Sequence, residues 1–525
     1  MDMSKAFDSI WLNGLFYKLY HLGLDNKIWR LLKASYKDFK CTVTVGGVQS
    51  DSFTTEQGLH QGGPMSMIAF QIYENMLLQN LKSSRCGITL DKYNMNCPTY
   101  ADDICIMAPN KDSLQELIDI AHTYACKCRL DFNPAKCVVI VYGKDKAPGK
   151  ELYLDRRKID SKPSHNHVGT LLSDIPNEIT AYMITRVESC QRIGHAINAI
   201  GTRRAPITPM TASKIFWSTC MSKLTYGLEL MEVPGSCMDM LDAFYSEIAK
   251  CLQGLPIQTC NIAATCLMGW MCIKSYIDQK RLIFLWRIMI LHTKSIYKKV
   301  LIYRYVCHFY SDCPNHLGPM WKAMETSQKY GLKTHAQNAI ESGDYMSMAL
   351  WKTLVKKAIW KREQVKWKIM CGIFTSLFNI KKAIPAVQTW SWWIYTQDNP
   401  SDIYKVRILL KLLLNIKCFK KRSKVKNIPQ SICQQCDKFV QQTVAHVLLE
   451  CEKATGERDT LWNSVLHNCP IALVNELGQM TPEDRCLFLL SGMNNTYTRE
   501  WKELYTSILI FIVSIYRIFM HYELE

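Results

Sequence analysis

No long apolar run appears anywhere in this chain. The most apolar stretch, Leu504 to Tyr516, ends at Arg517. It is too short and too interrupted to cross a hydrocarbon layer, which takes about 20 residues, and it reads as a buried C-terminal helix. No apolar run follows a basic start, so no secretory signal is visible. A Walker-type phosphate loop, a catalytic triad, a His-rich hydrolytic metal site and a restriction-type nuclease signature are all missing. Internal repeats are missing too. Acids are in the minority, 46 Asp+Glu against 64 Lys+Arg, for a net charge of +18. These absences argue against a membrane-spanning, secreted or repeat protein and against the common hydrolase classes.

What is present is a chain of 525 residues, long enough for about three domains. Ordinary apolar content and 14 Trp allow a substantial core. The basic excess points to a polyanionic partner, because Lys and Arg contacts to phosphate release counterions; plain solubility is the other reading. The 23 cysteines are scattered, with no secreted framework. A reducing, intracellular setting fits, nuclear and cytoplasmic, with cysteines as core residues or metal ligands.

Residues 9–36 have helical spacing, with Leu12, Leu15, Leu19, Leu22 and Leu31 on the apolar stripe. Cys41 to Val45 alternates, Gly46-Gly47 turns and Val48 resumes, which predicts a hairpin. Pro64 to Leu81 reads as a helix after a Gly-rich loop, and Thr99 to Ala108 as a second hairpin with Asp102-Asp103 at its tip. Ser113 and Glu116 suggest a capping box, ahead of a face formed by Leu114, Leu117, Ile118, Ala121 and Ala125. Cys137 to Tyr142 reads as a strand. The expected class is α+β over 1–175, then mostly helical to about 400, then a third region over 401–525. Its boundary is the polar, turn-rich stretch near 395–402.

Two acidic sites stand a hundred residues apart. Asp2 and Asp8 bracket Met3-Ser4-Lys5-Ala6-Phe7, and Tyr100-Ala101 precede Asp102-Asp103. Adjacent carboxylates repel each other and persist cheaply only when exposed or bound to cations. If a strand end carrying Asp2 lies beside the hairpin tip, three carboxylates converge, a hard oxygen set suited to Mg²⁺ or Mn²⁺. Two such ions can activate an attacking hydroxyl and stabilise a leaving oxygen in phosphoryl transfer. Taken alone, Asp102-Asp103 is a polar turn. Between the acids lies Gly58-Leu59-His60-Gln61-Gly62-Gly63-Pro64-Met65-Ser66, whose glycines permit close backbone approach. After them comes Leu130-Asp131-Phe132-Asn133-Pro134-Ala135-Lys136, a turn whose lysine could neutralise or protonate pyrophosphate.

In this order and spacing, the four segments closely resemble the polymerase motifs of reverse transcriptases from non-LTR (LINE-type) retrotransposons. The resemblance implies a right-hand polymerase palm over 1–175, a helical thumb and connection region over 176–400, and an RNA-directed DNA polymerase using two Mg²⁺ ions, dNTPs, an RNA template and a DNA primer. It implies that Asp2, Asp102 and Asp103 are the metal-binding carboxylates and that Lys136 assists nucleotide addition and pyrophosphate departure. Phe7 resembles the bulky gate that rejects a ribose 2′-hydroxyl. Gln61 and Gly62 match the loop that contacts incoming nucleotide and template. His167-Val168-Gly169 resembles a weak primer-grip turn. Met67 stands where the family commonly has Pro. The family's fingers and endonuclease would precede Asp2, and only Met1 does, so a truncated, catalytically silent nucleic-acid-binding remnant is the rival reading. An RNA-directed RNA polymerase shares the acids but fits poorly with Phe7 and the Tyr-Ala-Asp-Asp form.

Further along, Trp351, Trp360 and Trp367 alternate with Lys352, Lys356, Lys357, Lys361, Arg362 and Lys366. An amphipathic helix with core tryptophans explains this, and a phosphate-facing basic side is equally open. In 404–426 there are nine Lys or Arg and no acid. Ile408, Leu409, Leu412, Leu413 and Ile416 are expected inside, with Lys405, Arg407, Lys411 and Lys417 outside. Lys420, Lys421, Arg422, Lys424 and Lys426 form a basic run that suits nucleic-acid binding, nuclear import or a solvated linker. Cys433, Cys436, His446 and Cys451 have zinc-ligand spacing, although His446 also lies in an apolar run. The resemblance strengthens zinc, because LINE-type proteins often carry such a segment after the polymerase. Oligomeric state is not legible.

Overall fold

The computed structural model describes residues 1–24, 26–90, 93–143, 151–173, 175–201, 207–310, 318–373, 377, 380–381, 384–414, 432–433, 435–436, 438, 440–492 and 497–519. The chain divides into two compact units, Met1–Ile179 and Thr180–Glu525.

In the first unit, helices α1 (Leu12–His21), α2 (Asn26–Tyr36), α3 (Ser66–Ser83) and α4 (Lys111–Lys127) surround one core. The stripe Phe70, Tyr73, Leu77 and Leu81 of α3 is buried, as are Leu117, Ile118, Ala121, Tyr124 and Ala125 of α4, the spacing that puts residues on one helical face. Lys18 is drawn into this core. Its Nζ donates to the Tyr73 carbonyl and to the Tyr124 hydroxyl, both at 2.6 Å, and burial lowers its pKa. The amine thereby ties α1 to α3 and α4.

The single helical run expected over 9–36 is two helices. Gly23 (φ 86°) ends the first, so the helical phase restarts. Leu22 and Leu31, expected inside, are 62% and 60% exposed. The capping box expected at Ser113 and Glu116 is replaced by an earlier cap. Asn110 precedes α4, and its side chain accepts from the Ser113 backbone N–H at 2.9 Å, since Asn caps as well as Ser does.

Strands among the described residues form seven two-stranded ladders of two or three residues each. Both expected hairpins are present: Thr44–Val45 with Val48–Gln49, and Thr99–Tyr100 with Asp103–Ile104. The strand expected over Cys137 to Tyr142 shrinks to Val138–Val139, paired in parallel with Asp160–Ser161. The extended segment at Met1–Ser4 is held from both sides. Met1 exchanges backbone hydrogen bonds with Ile104 at 2.6 and 3.3 Å. On the other side, Ser4 N–H reaches the Asp131 carbonyl at 2.8 Å and Asn133 N–H the Asp2 carbonyl at 3.0 Å.

The second unit is helical among its described residues. Tryptophans organise it, and several of their N–H groups find acceptors as they enter the interior, although that of the buried Trp390 has none among the described residues. Trp286 and Trp351 stack at 4.0 Å and donate to the Met346 and Leu282 carbonyls. Trp392 donates to the Leu490 carbonyl and Ser391 to that of Ser491, so residues on either side of the turn at 397–402 share one core. Of the three tryptophans weighed as core, Trp351 and Trp367 are 0% and 2% exposed, whereas Trp360 is 36% exposed. The buried ridge of the helix Met348–Ile373 runs through 351, 355, 359, 363, 367 and 371, and 360 lies about 100° off it. Ile408, Leu409, Leu412 and Leu413 are buried as expected. Arg407, expected outside, is half-buried over Gly254, where an added Cβ would lie 2.8 Å from its Nε. The apolar C-terminal stretch is the helix Lys502–Phe519, with eight buried side chains. No helix among the described residues is long and apolar enough to cross a membrane. No disulfide joins two of the 21 described cysteines.

Candidate active site and metal centre

The acids at positions 2 and 103 are brought together by backbone pairing. Asp2 forms an antiparallel bridge with Asp103, and Met3 forms one with Phe132. The Asp2 segment therefore lies between the acidic hairpin and the turn that carries Lys136. Ala101, at the hairpin tip, has φ 52°, a left-handed conformation that costs an alanine about 1–2 kcal/mol. That conformation makes the tight turn that presents Asp102 next to the paired Asp103.

Lys136 Nζ stands 3.5 Å from Asp2 Oδ1, with side chains 65% and 36% exposed. Oδ1 itself is buried and accepts no hydrogen bond among the described residues. The Lys136 ammonium thus faces that oxygen as an ion pair without a hydrogen bond, and a carboxylate oxygen placed this way also suits a hard cation.

The glycine loop meets the first acidic segment through specific contacts. Leu59 N–H donates to the Phe7 carbonyl at 2.8 Å, and Gly58 N–H to that of Ile10 at 2.9 Å. Gly58 has φ 92°, and an added Cβ would lie 2.9 Å from the Asp8 carbonyl oxygen, so only glycine permits this approach. Gln61 Nε2 donates to Asp8 Oδ1 at 2.9 Å. Gly62 (φ 82°) has nothing within 4 Å of an added Cβ. Phe7 stacks on Phe70 of α3, with centroids 4.9 Å apart and planes at 15°. Met67, one step into α3, is exposed, so that position imposes no packing demand for proline. His165–His167 and Thr170–Leu172 form a hairpin whose turn is Val168-Gly169, with φ 48° and 71°.

One residue escaped the sequence reading. Glu74 of α3 is 2% exposed, and its Oε1 accepts no hydrogen bond among the described residues. Burial, and after it the Asp102 charge, pushes its carboxyl up to about 8. A signal existed: Glu74 is the only acid on the ridge of Phe70, Leu77 and Leu81, where a charge needs a reason.

In the second unit, Cys433, Cys436, His446 and Cys451 converge, with all four donor atoms within 4.8 Å of one another. Cys433 and Cys451 Sγ are 3.9 Å apart, and Cys436 Sγ is 3.5 Å from His446 Nε2. A tetrahedron with Zn–S near 2.3 Å and Zn–N near 2.0–2.1 Å has edges of about 3.5–3.8 Å, so the donor set fits zinc. Burial, with the neighbouring Cys433 and Cys436 adding to it, pushes the Cys451 thiol up to about 12. Holding it as a thiolate therefore calls for a cation. His446 Nδ1 lies 3.4 Å from Glu450 Oε2, across a π-helical turn at His446–Glu450. A carboxylate there fixes the tautomer that leaves Nε2 free for a metal. His446 is both a core residue, 3% exposed, and a member of the cluster. The basic run Lys420, Lys421, Arg422, Lys424 and Lys426 lies outside the described residues, as do Ile416 and Lys417.

Comparison with known proteins accords with the acidic site. Residues 1–197 match the family model for reverse transcriptase (RNA-dependent DNA polymerase). The chain is 29% identical over 148 residues to the RNA-directed DNA polymerase from mobile element jockey of Drosophila funebris, covering 27% of this chain and 16% of that protein. It is 27% identical over 140 residues to the Pol polyprotein from the type-2 retrotransposable element R2DM of Drosophila melanogaster, covering 27% and 13%. A type-1 R2 element protein of Popillia japonica is 22% identical over 275 residues, covering 49% and 43%. The matches thus span less than half of each relative's length. The first 197 residues of this chain are accordingly a reverse transcriptase domain, similar to those of mobile-element and retrotransposable-element proteins.

Proposed function

We propose that this chain is an RNA-directed DNA polymerase that extends a DNA primer on an RNA template. The observation that carries the reading is the bridge of Asp2 to Asp103 with Lys136 beside Asp2. Three segments far apart in sequence meet there to make one carboxylate site with a cation at its edge.

Asp2 and Asp102 would hold two Mg²⁺ ions and Asp103 would support them, as the right-hand palm of this family implies. When bound, the ions would supply hydroxyl activation and charge neutralisation for attack of the primer 3′-oxygen on the α-phosphate of a dNTP. Lys136 is exposed and free to swing toward a triphosphate, where it would neutralise or protonate the departing pyrophosphate. Phe7, backed by Phe70, would exclude a ribose 2′-hydroxyl by bulk. Gln61, tethered to Asp8, and Gly62 would face nucleotide and template. The turn at Val168-Gly169 would support the primer.

In the second unit, which would carry the thumb and connection functions, the three thiolates and the imidazole would hold one structural Zn²⁺. The basic run from Lys420 to Lys426 would add phosphate contacts.

Primer extension by the full chain on poly(rA) with oligo(dT), dTTP and Mg²⁺ tests the polymerase, with Asp102→Ala/Asp103→Ala alongside. Incorporation that disappears in the double variant is the expected result. A folded wild-type chain that binds RNA but incorporates nothing would sink the reading and leave a silent nucleic-acid-binding protein.

A further inference from the structure

We infer that the outward side of the helix Met348–Ile373 is a binding face for single-stranded nucleic acid. It lies in the unit that lacks the carboxylate site, and the inference does not depend on polymerase activity.

The buried ridge of this helix already accounts for Trp351, Val355, Ile359, Glu363, Trp367 and Cys371. The rest of its surface carries the exposed Leu350, Val365, Ile369 and Ile373 together with Lys352, Lys356, Lys357, Lys361 and Lys368. The last four are exposed, and among the described residues none of the five lysines forms an ion pair. The only acid of the helix cannot serve them. Glu363 is 7% exposed, and its oxygens accept from Cys272 N–H and Ser275 Oγ, both at 2.8 Å. The cationic side is therefore uncompensated within its own element, a high local charge that favours a polyanion.

Trp360 selects among polyanions. It is the only exposed tryptophan among the described residues, in a protein that buries others completely and supplies acceptors for their N–H groups. It sits one helical turn, about 6 Å, beyond Lys356 and one residue from Lys361. An indole between lysines provides a stacking surface for a base, with cations placed for the adjoining phosphates. In a duplex the base faces are already stacked, so a single strand is the ligand that uses both features. An anionic membrane would also take up an indole, and the vesicle arm of the test separates it from a single strand.

The test is fluorescence anisotropy of the full chain with a fluorescein-labelled 20-nucleotide oligouridine across a salt series. Lys357→Ala/Lys361→Ala should weaken binding and flatten the log K against log[salt] slope by about 1.4, from about 0.7 per phosphate contact. Trp360→Ala should weaken binding about tenfold with the slope unchanged, and Trp360→Phe should recover most of that loss. Lys274→Ala/Lys294→Ala, exposed lysines elsewhere in the unit, should leave the slope nearly unaltered. Asp102→Ala/Asp103→Ala should still respond to the helix substitutions, which separates this face from the polymerase reading. The inference is overturned if the helix variants bind as wild type does with an unchanged slope. It is also overturned if the control pair loses as much, or if the variants lose only phosphatidylserine-vesicle binding. Circular dichroism melting of each variant, expected to match wild type, keeps a folding defect from passing as a binding loss.

Discussion

The two candidate metal sites are built in opposite ways. The acids of the first unit sit on a short ladder and a hairpin tip, with the Asp2 side chain 36% exposed and Lys136 more open still. In the second unit Cys433, His446 and Cys451 are 3%, 3% and 0% exposed, and four donor atoms lie within 4.8 Å of one another. Hard, partly open carboxylates bind ions that must exchange with substrate; closed thiolate and imidazole sets bind an ion that stays. On the proposed reading, the contrast separates a site that would work on a substrate from one that would hold the chain together.

Breaking the first site should abolish chemistry and spare the fold. Asp102→Ala/Asp103→Ala is expected to lower primer extension by at least about 10³-fold while leaving the melting temperature equal to or above that of wild type, because two repelling charges are removed. Residual incorporation within tenfold of wild type would take the acids out of the mechanism. Breaking the second should do the reverse. Wild type should carry one zinc per chain by elemental analysis, and Cys451→Ala should lose it and destabilise its unit by several kcal/mol. Glu450→Gln, which removes the partner of His446 Nδ1, should cost 10–100-fold in zinc affinity. A wild-type chain that retains no zinc after dialysis would refute the centre.

Glu74 sharpens the comparison through pH. Its folded pKa, about 8, lies above the ordinary 4.5. Between those values the folded chain keeps a proton that the unfolded chain has released. Stability therefore falls as pH rises through that window and carries the full cost above it. Glu74→Gln removes the equilibrium and keeps the size. At pH 8.5 it should stabilise the chain by a few kcal/mol relative to wild type, with little difference at pH 4. Melting curves at the two pH values read this directly, and equal shifts at both would show that Glu74 is not held protonated.

How much of this was visible in the sequence follows from the range of the interactions. The acidic hairpin was legible because two acids interrupt a short apolar alternation, and the Cys/His set because its ligands are spaced along a short stretch. The polymerase resemblance rested on the order of four segments, and the match over 1–197 agrees with it. The break at Gly23 was missed because a residue pattern alone does not register a restart in helical phase. The outward turn of Trp360 was missed for a related reason, since one residue of offset is a change of face. The bridge from Asp2 to Asp103 and the tie from Gln61 to Asp8 join segments 101 and 53 residues apart; only the fold brings them together. Glu74 needed both: a local anomaly on an apolar ridge and a distant charge at Asp102.

The smallest expected effect concerns selection rather than rate, and it tests whether the first site handles a substrate by shape. Phe7 is held by Phe70 in a near-parallel stack, so the ring is fixed by packing and not by a hydrogen bond. Phe7→Val should leave dNTP incorporation within a few-fold and raise incorporation of the matching ribonucleotide about tenfold, the scale on which a single apolar contact discriminates. Phe70→Leu, which never approaches a nucleotide in this reading, should give a weaker shift in the same direction, because it removes only the backing of the ring. The change should appear in KM for the ribonucleotide more than in kcat for the dNTP. Discrimination that is unchanged in Phe7→Val while Phe70→Leu loses activity altogether would make the pair part of the core and leave the choice of sugar to other residues.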